Sequence, residues 1–152
     1  MKQLRFESTY PSSLDASREA GEALTDFLNT HHIDDITVTQ VELCIVEMVN
    51  NAYEHAYQEQ EGKPVTVSCV LSPRVDGHSL EIEIVDSGES LTQQELETAL
   101  SKDFIEADPE DETTWETSGR GFTIVKTIMD SVQVNTEGNL NRFLMKKALV
   151  TG

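Results

Sequence analysis

The amino-acid sequence predicts an α+β fold: a two-layer α/β sandwich with helices on one face of a mixed, mainly antiparallel β-sheet. The prediction depends on two observations. Apolar and polar residues alternate in five short segments, which is typical of half-buried strands, and apolar residues recur with helical periodicity in the segments between them. Short turns join consecutive strands, so neighbouring strands can pair in antiparallel.

Length and composition describe one globular domain. The 152 residues include 38% hydrophobic and 26% charged side chains, and no repeat or low-complexity linker divides them, so residues 1–152 are predicted to form a single domain. Twenty-eight acidic residues against eleven basic ones give a net charge of −17. Such a chain lacks the clustered Lys and Arg that bind the phosphates of nucleic acids or an anionic membrane.

No signal for a membrane or an oxidising compartment is present. No apolar run approaches the roughly eighteen residues of a transmembrane helix, and the first residues lack the apolar core of a signal peptide. Cys44 and Cys69 lie in periodic apolar segments and form no CxxC pair, so both are predicted to be small buried residues. A cytoplasmic location is expected.

The first strand and helix precede residue 30. Lys2–Ser8 alternates and predicts a short strand, and Pro11–Ser13 ends it with serines that can cap a helix. Leu14–Asn29 has the apolar periodicity of an amphipathic helix. His31 and His32 follow it. Adjacent histidines do not face one point on a helix, so a solvated helix end is favoured over a metal site.

The second helix, Val41–Tyr57, carries an unusual row of polar side chains. Its candidate caps are Asp34, Asp35, Thr37 and Thr39, and its predicted apolar face is Val41, Ile45, Met48, Ala52 and Ala56. Glu47, Asn51 and His55 recur every four residues and stack along one flank of that face. A carboxylate, a carboxamide and an imidazole in such a row could hold a metal ion and a water. The alternative is an ordinary polar helix edge.

A hairpin and a third helix come next. Val65–Leu71 and Leu80–Val85 alternate as strands, and the turn Pro73–His78 between them contains an Asp-Gly pair that favours a hairpin. Thr92–Leu100 is predicted to be helical, because Thr92 and Glu95 have the spacing of a capping box.

The last part of the chain begins with an acidic segment. Asp103–Glu116 contains seven acidic residues and no basic one, which predicts a mobile segment. Phe122–Met129 is predicted to be a helix. Val132–Asn135 and Asn141–Ala148 form a predicted hairpin around the turn Glu137–Asn139.

Asp86-Ser87-Gly88 directly follows a predicted strand. A buried carboxylate at that point can accept a hydrogen bond from an exocyclic amine, and a glycine lets a flat ring approach the backbone. The alternative is a plain turn, since Asp, Ser and Gly are common turn residues.

A second glycine motif, Gly119-x-Gly121, lies before a predicted helix. Glycines there let backbone N–H groups point at an anion near the positive end of the helix dipole, and Arg120 and Lys126 can add charge to a phosphate contact. The alternative is a flexible hinge with a helix cap. A Walker loop and a Rossmann fingerprint are both absent from the sequence.

Together, three motifs resemble the nucleotide-binding boxes of the GHKL (Bergerat-fold) ATPase superfamily, which includes gyrase-type topoisomerases, histidine kinases and mismatch-repair ATPases. The motifs are EMVNNAYEH at Glu47–His55, DSG at Asp86–Gly88 and SGRGFTI at Ser118–Ile124. Length and motif order are most similar to the anti-sigma-factor serine/threonine-protein kinases of bacterial partner-switching systems. The resemblance covers about Asp34–Asp130 by motif, and the whole chain by element order.

This resemblance implies ATP and Mg²⁺ as cofactors and gives the first two motifs their roles. Asn51 would ligate Mg²⁺ through its side-chain oxygen, and Glu47 would be the catalytic general base. His55 would border the phosphate pocket. Asp86 would accept a hydrogen bond from the adenine amino group, and Gly88 would make room for the ring.

The third motif would belong to a mobile nucleotide lid at about residues 89–120. Gly119 and Gly121 would form its hinge and place backbone amides on the phosphates, with Arg120 and Phe122 in the same box. The chain departs from the family's DxGxG pattern, because Ser90 stands where the second glycine is usual. The acidic lid segment implies an outward swing, a basic partner or weak nucleotide binding.

By this resemblance, the chain is expected to be an ATP-binding anti-sigma factor and serine protein kinase. It would phosphorylate a STAS-domain anti-sigma-factor antagonist, sequester a sigma factor and so regulate transcription. A homodimer is expected from the resemblance alone. The main alternative is a protein-binding module without kinase activity, either dependent on nucleotide or free of it. A third possibility is a detached histidine-kinase catalytic domain.

Overall fold

The computed structural model describes residues 3–89, 94 and 120–150. In order, its elements are β1 (Leu4–Pro11), α1 (Ala16–Thr30), α2 (Asp35–Asn51), a π-helical turn (Ala52–Ala56), β2 (Pro64–Arg74), β3 (Gly77–Asp86), α3 (Arg120–Ile128), β4 (Ser131–Glu137) and β5 (Leu140–Val150). The described helices lie between β1 and β2 and between β3 and β4 along the chain.

The five strands form one sheet in the order β1-β2-β3-β5-β4, and each neighbouring pair is antiparallel. Side chains on one face of the sheet, such as Val67, Ile82 and Met145, are fully buried in the same core as Leu24 of α1 and Ile45 of α2. The described helices therefore cover one face of the sheet, and the predicted α+β sandwich is confirmed. The sequence predicted a mixed, mainly antiparallel sheet, and the described strand pairs are all antiparallel.

The opposite face of the sheet is polar and carries cross-strand ion pairs. Arg142 lies 3.0 Å from Glu83, and Lys146 lies 3.8 Å from Glu81. Alternate residues of a strand point to opposite faces, so these charges lie on the side away from the helices. Partly exposed pairs of this kind contribute little to stability, typically about 0–1 kcal/mol.

Helix α2 begins earlier than its apolar periodicity predicts. The Asp34 carboxylate accepts hydrogen bonds from the Thr37 backbone N–H at 3.0 Å and the Thr37 hydroxyl at 2.7 Å, so Asp34 is the N-cap. These hydrogen bonds lower the pKa of the exposed Asp34 carboxyl. Of the predicted apolar face, Val41, Ile45, Met48 and Ala52 are buried and Ala56 is half-buried.

The end of α2 differs from the regular helix predicted through Tyr57. From Ala52 the backbone forms a π-helical turn, in which the Tyr57 N–H donates to the Ala52 carbonyl at 2.9 Å. This i→i+5 bond underwinds the helix, so residues beyond it rotate away from the α-helical row. Gln58 and Glu59 then take left-handed backbone angles, with φ of 51° and 64°, and end the element.

Other predicted elements occur with different ends. Strand β1 continues through Pro11, which pairs with Pro64, although Pro11 was expected to break it. Helix α3 starts at Arg120 rather than Phe122. Apart from Gln94, the predicted helix Thr92–Leu100 lies outside the described residues, as do the acidic segment and most of the lid at about 89–120.

Both cysteines are buried, as predicted. Burial raises the pKa of each thiol to about 12; at Cys44 the Lys147 ammonium opposes this and the Glu47 carboxylate adds to it. Both thiols therefore stay protonated at neutral pH and are poor nucleophiles. Within the described part of the chain, no helix combines the length and apolar character needed to cross a membrane.

Candidate functional site

The centre of the candidate site is a buried carboxylate at the end of β3. The Asp86 side chain is only 2% exposed. Its Oδ1 accepts a hydrogen bond from Asn141 Nδ2 at 2.8 Å and another from the Gly88 backbone N–H at 3.0 Å. Among the described residues, no hydrogen bond to the other oxygen, Oδ2, is found, so that oxygen is left for a ligand that donates a hydrogen bond.

Burial also controls the protonation of this group. It raises the pKa of the Asp86 carboxyl above the ordinary value, while the hydrogen bonds from Asn141 and Gly88 oppose the shift. Burying a carboxylate is costly unless it is hydrogen-bonded, and here the described residues supply partners for one of its two oxygens. A ligand amine or amide that donated a hydrogen bond to Oδ2 would give the second carboxylate oxygen a partner as well.

Asn141 is a site residue that the sequence interpretation missed. Its side chain is 1% exposed, and Nδ2 lies within hydrogen-bond distance of Asp86 Oδ1, of the Gly88 carbonyl at 3.1 Å and of the Glu89 carbonyl at 3.1 Å. Asn141 faces Asp86 because the two residues are paired in the β3–β5 register. The available signal was its inward position, in alternation with buried Phe143 and Met145, where a polar residue is unusual.

Gly88 brings the loop after β3 against the end of the π-helical turn. A Cβ at Gly88 would lie 2.3 Å from the Ala56 carbonyl oxygen and 2.5 Å from its carbon. The next residue, Glu89, donates its backbone N–H to the same Ala56 oxygen at 2.8 Å. The described structure thus explains glycine here by close backbone approach; its predicted role beside an adenine ring remains a prediction.

Replacing Gly88 with alanine should therefore destabilise the protein. The new methyl group would meet a backbone carbonyl that cannot rotate away, and we expect a loss of about 1–3 kcal/mol in the free energy of unfolding, measured by urea denaturation.

Gly21→Ala is the matched control, because its Cβ in helix α1 would meet only side chains, Glu42 at 3.3 Å and Val46 at 3.4 Å, which need to shift by a few tenths of an ångström. In a helix, alanine is favoured over glycine by roughly 1 kcal/mol, which offsets this shift, so the stability of the variant should stay within about 1 kcal/mol of wild type. Equal stability of Gly88→Ala and wild type would contradict the close approach.

The predicted polar row on α2 leads toward this loop. Glu47 and Asn51 are half-buried, and His55 is exposed within the π-helical turn, directly before Ala56. Because the turn is underwound, His55 does not continue the i, i+4 row of Glu47 and Asn51 as an α-helix would place it. The proximity of Ala56 to Gly88 connects the end of this row with the Asp86 loop.

The second glycine motif is described only in part. Gly119 lies outside the described residues, whereas Arg120, Gly121 and Phe122 form the first turn of the nine-residue helix α3. The first N–H groups of a helix have no intrahelical acceptor, so this turn offers donors of the kind that bind anions. Ser90, where the family has a second glycine, also lies outside the described residues.

The donor set at the site suits some cofactors better than others. Among residues 3–89, 94 and 120–150, no group of three or more His, Cys, Asp or Glu side chains could hold a metal ion. Asn51 carries a side-chain oxygen of the kind that Mg²⁺ binds, and one such protein oxygen is enough when phosphate oxygens and water supply the other ligands. Asp86 Oδ2, to which no described residue donates a hydrogen bond, fits the amino group of adenine.

Comparison with known proteins gives a consistent family. A family model described as a histidine kinase-like ATPase domain matches residues 10–147. An anti-sigma F factor from Clostridium acetobutylicum is 32% identical over 111 residues, which represent 72% of this chain and 69% of that protein.

Solved structures share the fold at lower sequence identity. A chain of the SiaB–SiaC complex from Pseudomonas aeruginosa matches with a TM-score of 0.57 and 15% identity, over 96% of this chain and 89% of the matched one. The catalytic domain of histidine kinase ThkA matches with a TM-score of 0.50 and 14% identity, over 97% and 95% of the two chains. At such identities the likeness concerns the fold alone.

Proposed function

Because this chain belongs to the histidine kinase-like ATPase domain family and is a relative of the anti-sigma F factors, we propose that it is an ATP-dependent serine protein kinase and anti-sigma factor. Its substrate would be a serine of a STAS-domain antagonist protein. It would sequester a sigma factor when that antagonist is phosphorylated, and so regulate transcription in the cytoplasm. The family membership confirms the resemblance drawn from the three sequence motifs; the substrate and the sigma factor are part of the proposal.

The observation that carries the proposal is the arrangement around Asp86. A buried carboxylate with one oxygen held by Asn141 and Gly88 and the other unbonded by described residues is prepared for a ligand N–H group. Adenine presents such a group in its 6-amino substituent. The adjoining end of α2 carries Asn51 and Glu47, the residue types needed to hold a metal-bound phosphate and to accept a proton.

Each residue would then have one task. Asp86 orients the base, Asn51 holds Mg²⁺ through its side-chain oxygen, and the amides at the start of α3 donate to the phosphates. Glu47 would accept the proton of the serine hydroxyl as that oxygen bonds to the γ-phosphorus of ATP, the bond from this phosphorus to the bridging oxygen breaks and ADP leaves; His55 would border the phosphates. Bound ATP would supply the transferable phosphoryl group, whose charge Mg²⁺ neutralises.

The direct test is calorimetric titration of the purified protein with ATP, with and without Mg²⁺. Asn51→Ala should remove the part of the affinity that depends on Mg²⁺, a loss of about tenfold or more. Asn50→Ala is the matched control, since Asn50 is the neighbouring half-buried carboxamide on α2. Equal Mg²⁺ dependence in all three proteins would refute the role of Asn51.

A phosphotransfer assay then separates the kinase from the alternative. The charge of −17 and the replacement of the second glycine by Ser90 favour a protein-binding module without kinase activity as the second candidate. Transfer of phosphate from ATP to a serine of a STAS-domain protein supports the kinase. Partner binding without ATP binding at millimolar concentration supports the module. Homodimerisation is a further proposal from family membership, which sedimentation velocity can check.

A further inference from the structure

Tyr57 makes an unusual set of contacts through its hydroxyl group. The side chain is 5% exposed, and its hydroxyl donates to the Pro64 carbonyl at 2.5 Å. The same oxygen accepts the Ser87 backbone N–H at 2.7 Å and lies 3.1 Å from the Ser87 hydroxyl. One buried oxygen therefore connects the end of the α2 segment, the start of β2 and the residue directly after Asp86.

Two further contacts fasten the same loop to the same turn. The Glu89 N–H donates to the Ala56 carbonyl at 2.8 Å, and Gln58 Nε2 donates to Glu89 Oε1 at 2.7 Å. We call these contacts, together with those of Tyr57, the loop clamp; it joins residues 56–58 to residues 87–89. The backbone next to the clamp is strained, because Gln58 and Glu59 have left-handed backbone angles. This conformation costs roughly 1–2 kcal/mol for a residue other than glycine.

The π-helical turn makes the clamp possible. The Tyr57 N–H bonds to Ala52 rather than Tyr53, which rotates Tyr57 relative to its position in a regular helix. Without this underwinding, the Tyr57 ring would point in a different direction and its hydroxyl would miss Ser87. Short π-helical turns occur frequently at functional sites, where they redirect a side chain.

Asp86 is consequently held from two sides. Asn141 holds one carboxylate oxygen, whereas the Tyr57 hydroxyl holds the peptide group that follows Asp86. A hydrogen bond weakens steeply when its distance or angle departs from the optimum, so the place of the second oxygen decides how well it accepts a hydrogen bond.

We propose that Tyr57 is a positioning residue for purine selectivity, which aims Asp86 Oδ2 at the 6-amino group of adenine. The inference rests on the proposed ATP site and adds the residue that controls which base is accepted. Tyr57 touches neither the base nor the phosphates in this role; it acts through Ser87 and Asp86.

The test compares Tyr57→Phe with wild type for binding of Mg–ATP and Mg–ITP, in which a carbonyl replaces the 6-amino group. Wild type should prefer ATP, because Asp86 repels the carbonyl oxygen of ITP. In Tyr57→Phe the preference should narrow about tenfold, mainly through weaker ATP binding, whereas ITP affinity should change less than twofold.

Tyr10→Phe is the matched control. Tyr10 is also buried, but its hydroxyl has no hydrogen-bond partner in the described structure, so removing that hydroxyl should leave the ATP preference unchanged. Thermal unfolding of both variants shows whether each is folded.

The experiment distinguishes a failure of the proposed function from a failure of the selectivity role of Tyr57. Absence of ATP binding by the wild type refutes the proposed function. ATP binding with an unchanged ATP-to-ITP ratio in Tyr57→Phe, or an equal loss for both nucleotides, refutes the selectivity role alone. If Tyr57→Phe does not fold, an ester in place of the Asp86–Ser87 peptide bond replaces it, since this change removes the Ser87 N–H that donates to the Tyr57 hydroxyl and keeps both side chains. The ratio should then narrow as in Tyr57→Phe, and an unchanged ratio refutes the role of Tyr57.

Discussion

Asp86→Asn should weaken adenine nucleotide binding strongly while leaving the fold intact. An asparagine oxygen can still accept the hydrogen bonds from Asn141 and Gly88. Its amide nitrogen would then take the place of Oδ2, the proposed acceptor of the hydrogen bond from the adenine amino group. The amide N–H and the adenine N–H, both donors, would face each other. We expect a loss of about 100-fold in ATP affinity by calorimetry, equal to roughly 2.8 kcal/mol.

Asp76→Asn is the control for the loss of one negative charge. Asp76 lies in the exposed β2–β3 turn, 3.4 Å from Arg74, so this variant should keep ATP affinity within about twofold. ATP binding by Asp86→Asn with wild-type affinity would show that Asp86 does not read the base.

Asp86→Asn should also change how the free energy of unfolding depends on pH. Burial raises the pKa of Asp86, so the native state keeps this proton to a higher pH than the unfolded chain does. The stabilisation from the protonated group is fully present below the ordinary pKa of 3.8 and is lost as pH rises through the folded-state value. The unfolding free energy of wild type minus that of Asp86→Asn should therefore fall as pH increases above about 4.

Glu47→Gln should bind nucleotide normally and lose phosphotransfer. Glutamine keeps the shape of the half-buried side chain but cannot accept a proton at neutral pH. General-base catalysis typically contributes about 10²–10⁴-fold, so we expect the rate of phosphate transfer to a STAS-domain serine to fall by that factor. The affinity for Mg–ATP, measured in parallel, should change less than about twofold.

Glu42→Gln is the control on the same helix. Glu42 faces α1 and accepts a hydrogen bond from the Thr25 hydroxyl at 2.7 Å, which a glutamine oxygen can also accept. Transfer by Glu42→Gln should therefore proceed at the wild-type rate. Full transfer by Glu47→Gln would falsify the assignment of Glu47 as the base.

Local patterns predicted most of the secondary structure, because burial on one side of an element leaves a period in the sequence. The alternation of Leu80–Val85 predicted β3, and the apolar stripe from Val41 to Ala52 predicted the buried side of α2. Element ends were less predictable. Strand β1 continues through Pro11 because its partner Pro64 is still in register there, a fact that no local pattern contains.

The candidate site divides in the same way. Residue types in short motifs singled out Glu47, Asn51, Asp86 and Gly88, and their order indicated the family. Asn141 was missed because its contact with Asp86 spans 55 positions and arises only when β5 pairs with β3. The π-helical turn was missed because the change from i→i+4 to i→i+5 hydrogen bonds occurs where the helix contacts the distant Asp86 loop.

Periodicity and short motifs were therefore enough to predict the fold class, the buried sides of the elements and the family, because each of these leaves a pattern within a few consecutive residues. No such local pattern shows how Asp86 is held, why Gly88 has no side chain or where Tyr57 points. These depend on strand register and on the contact between two segments some thirty positions apart, joined by the hydrogen bonds of Tyr57 to Ser87.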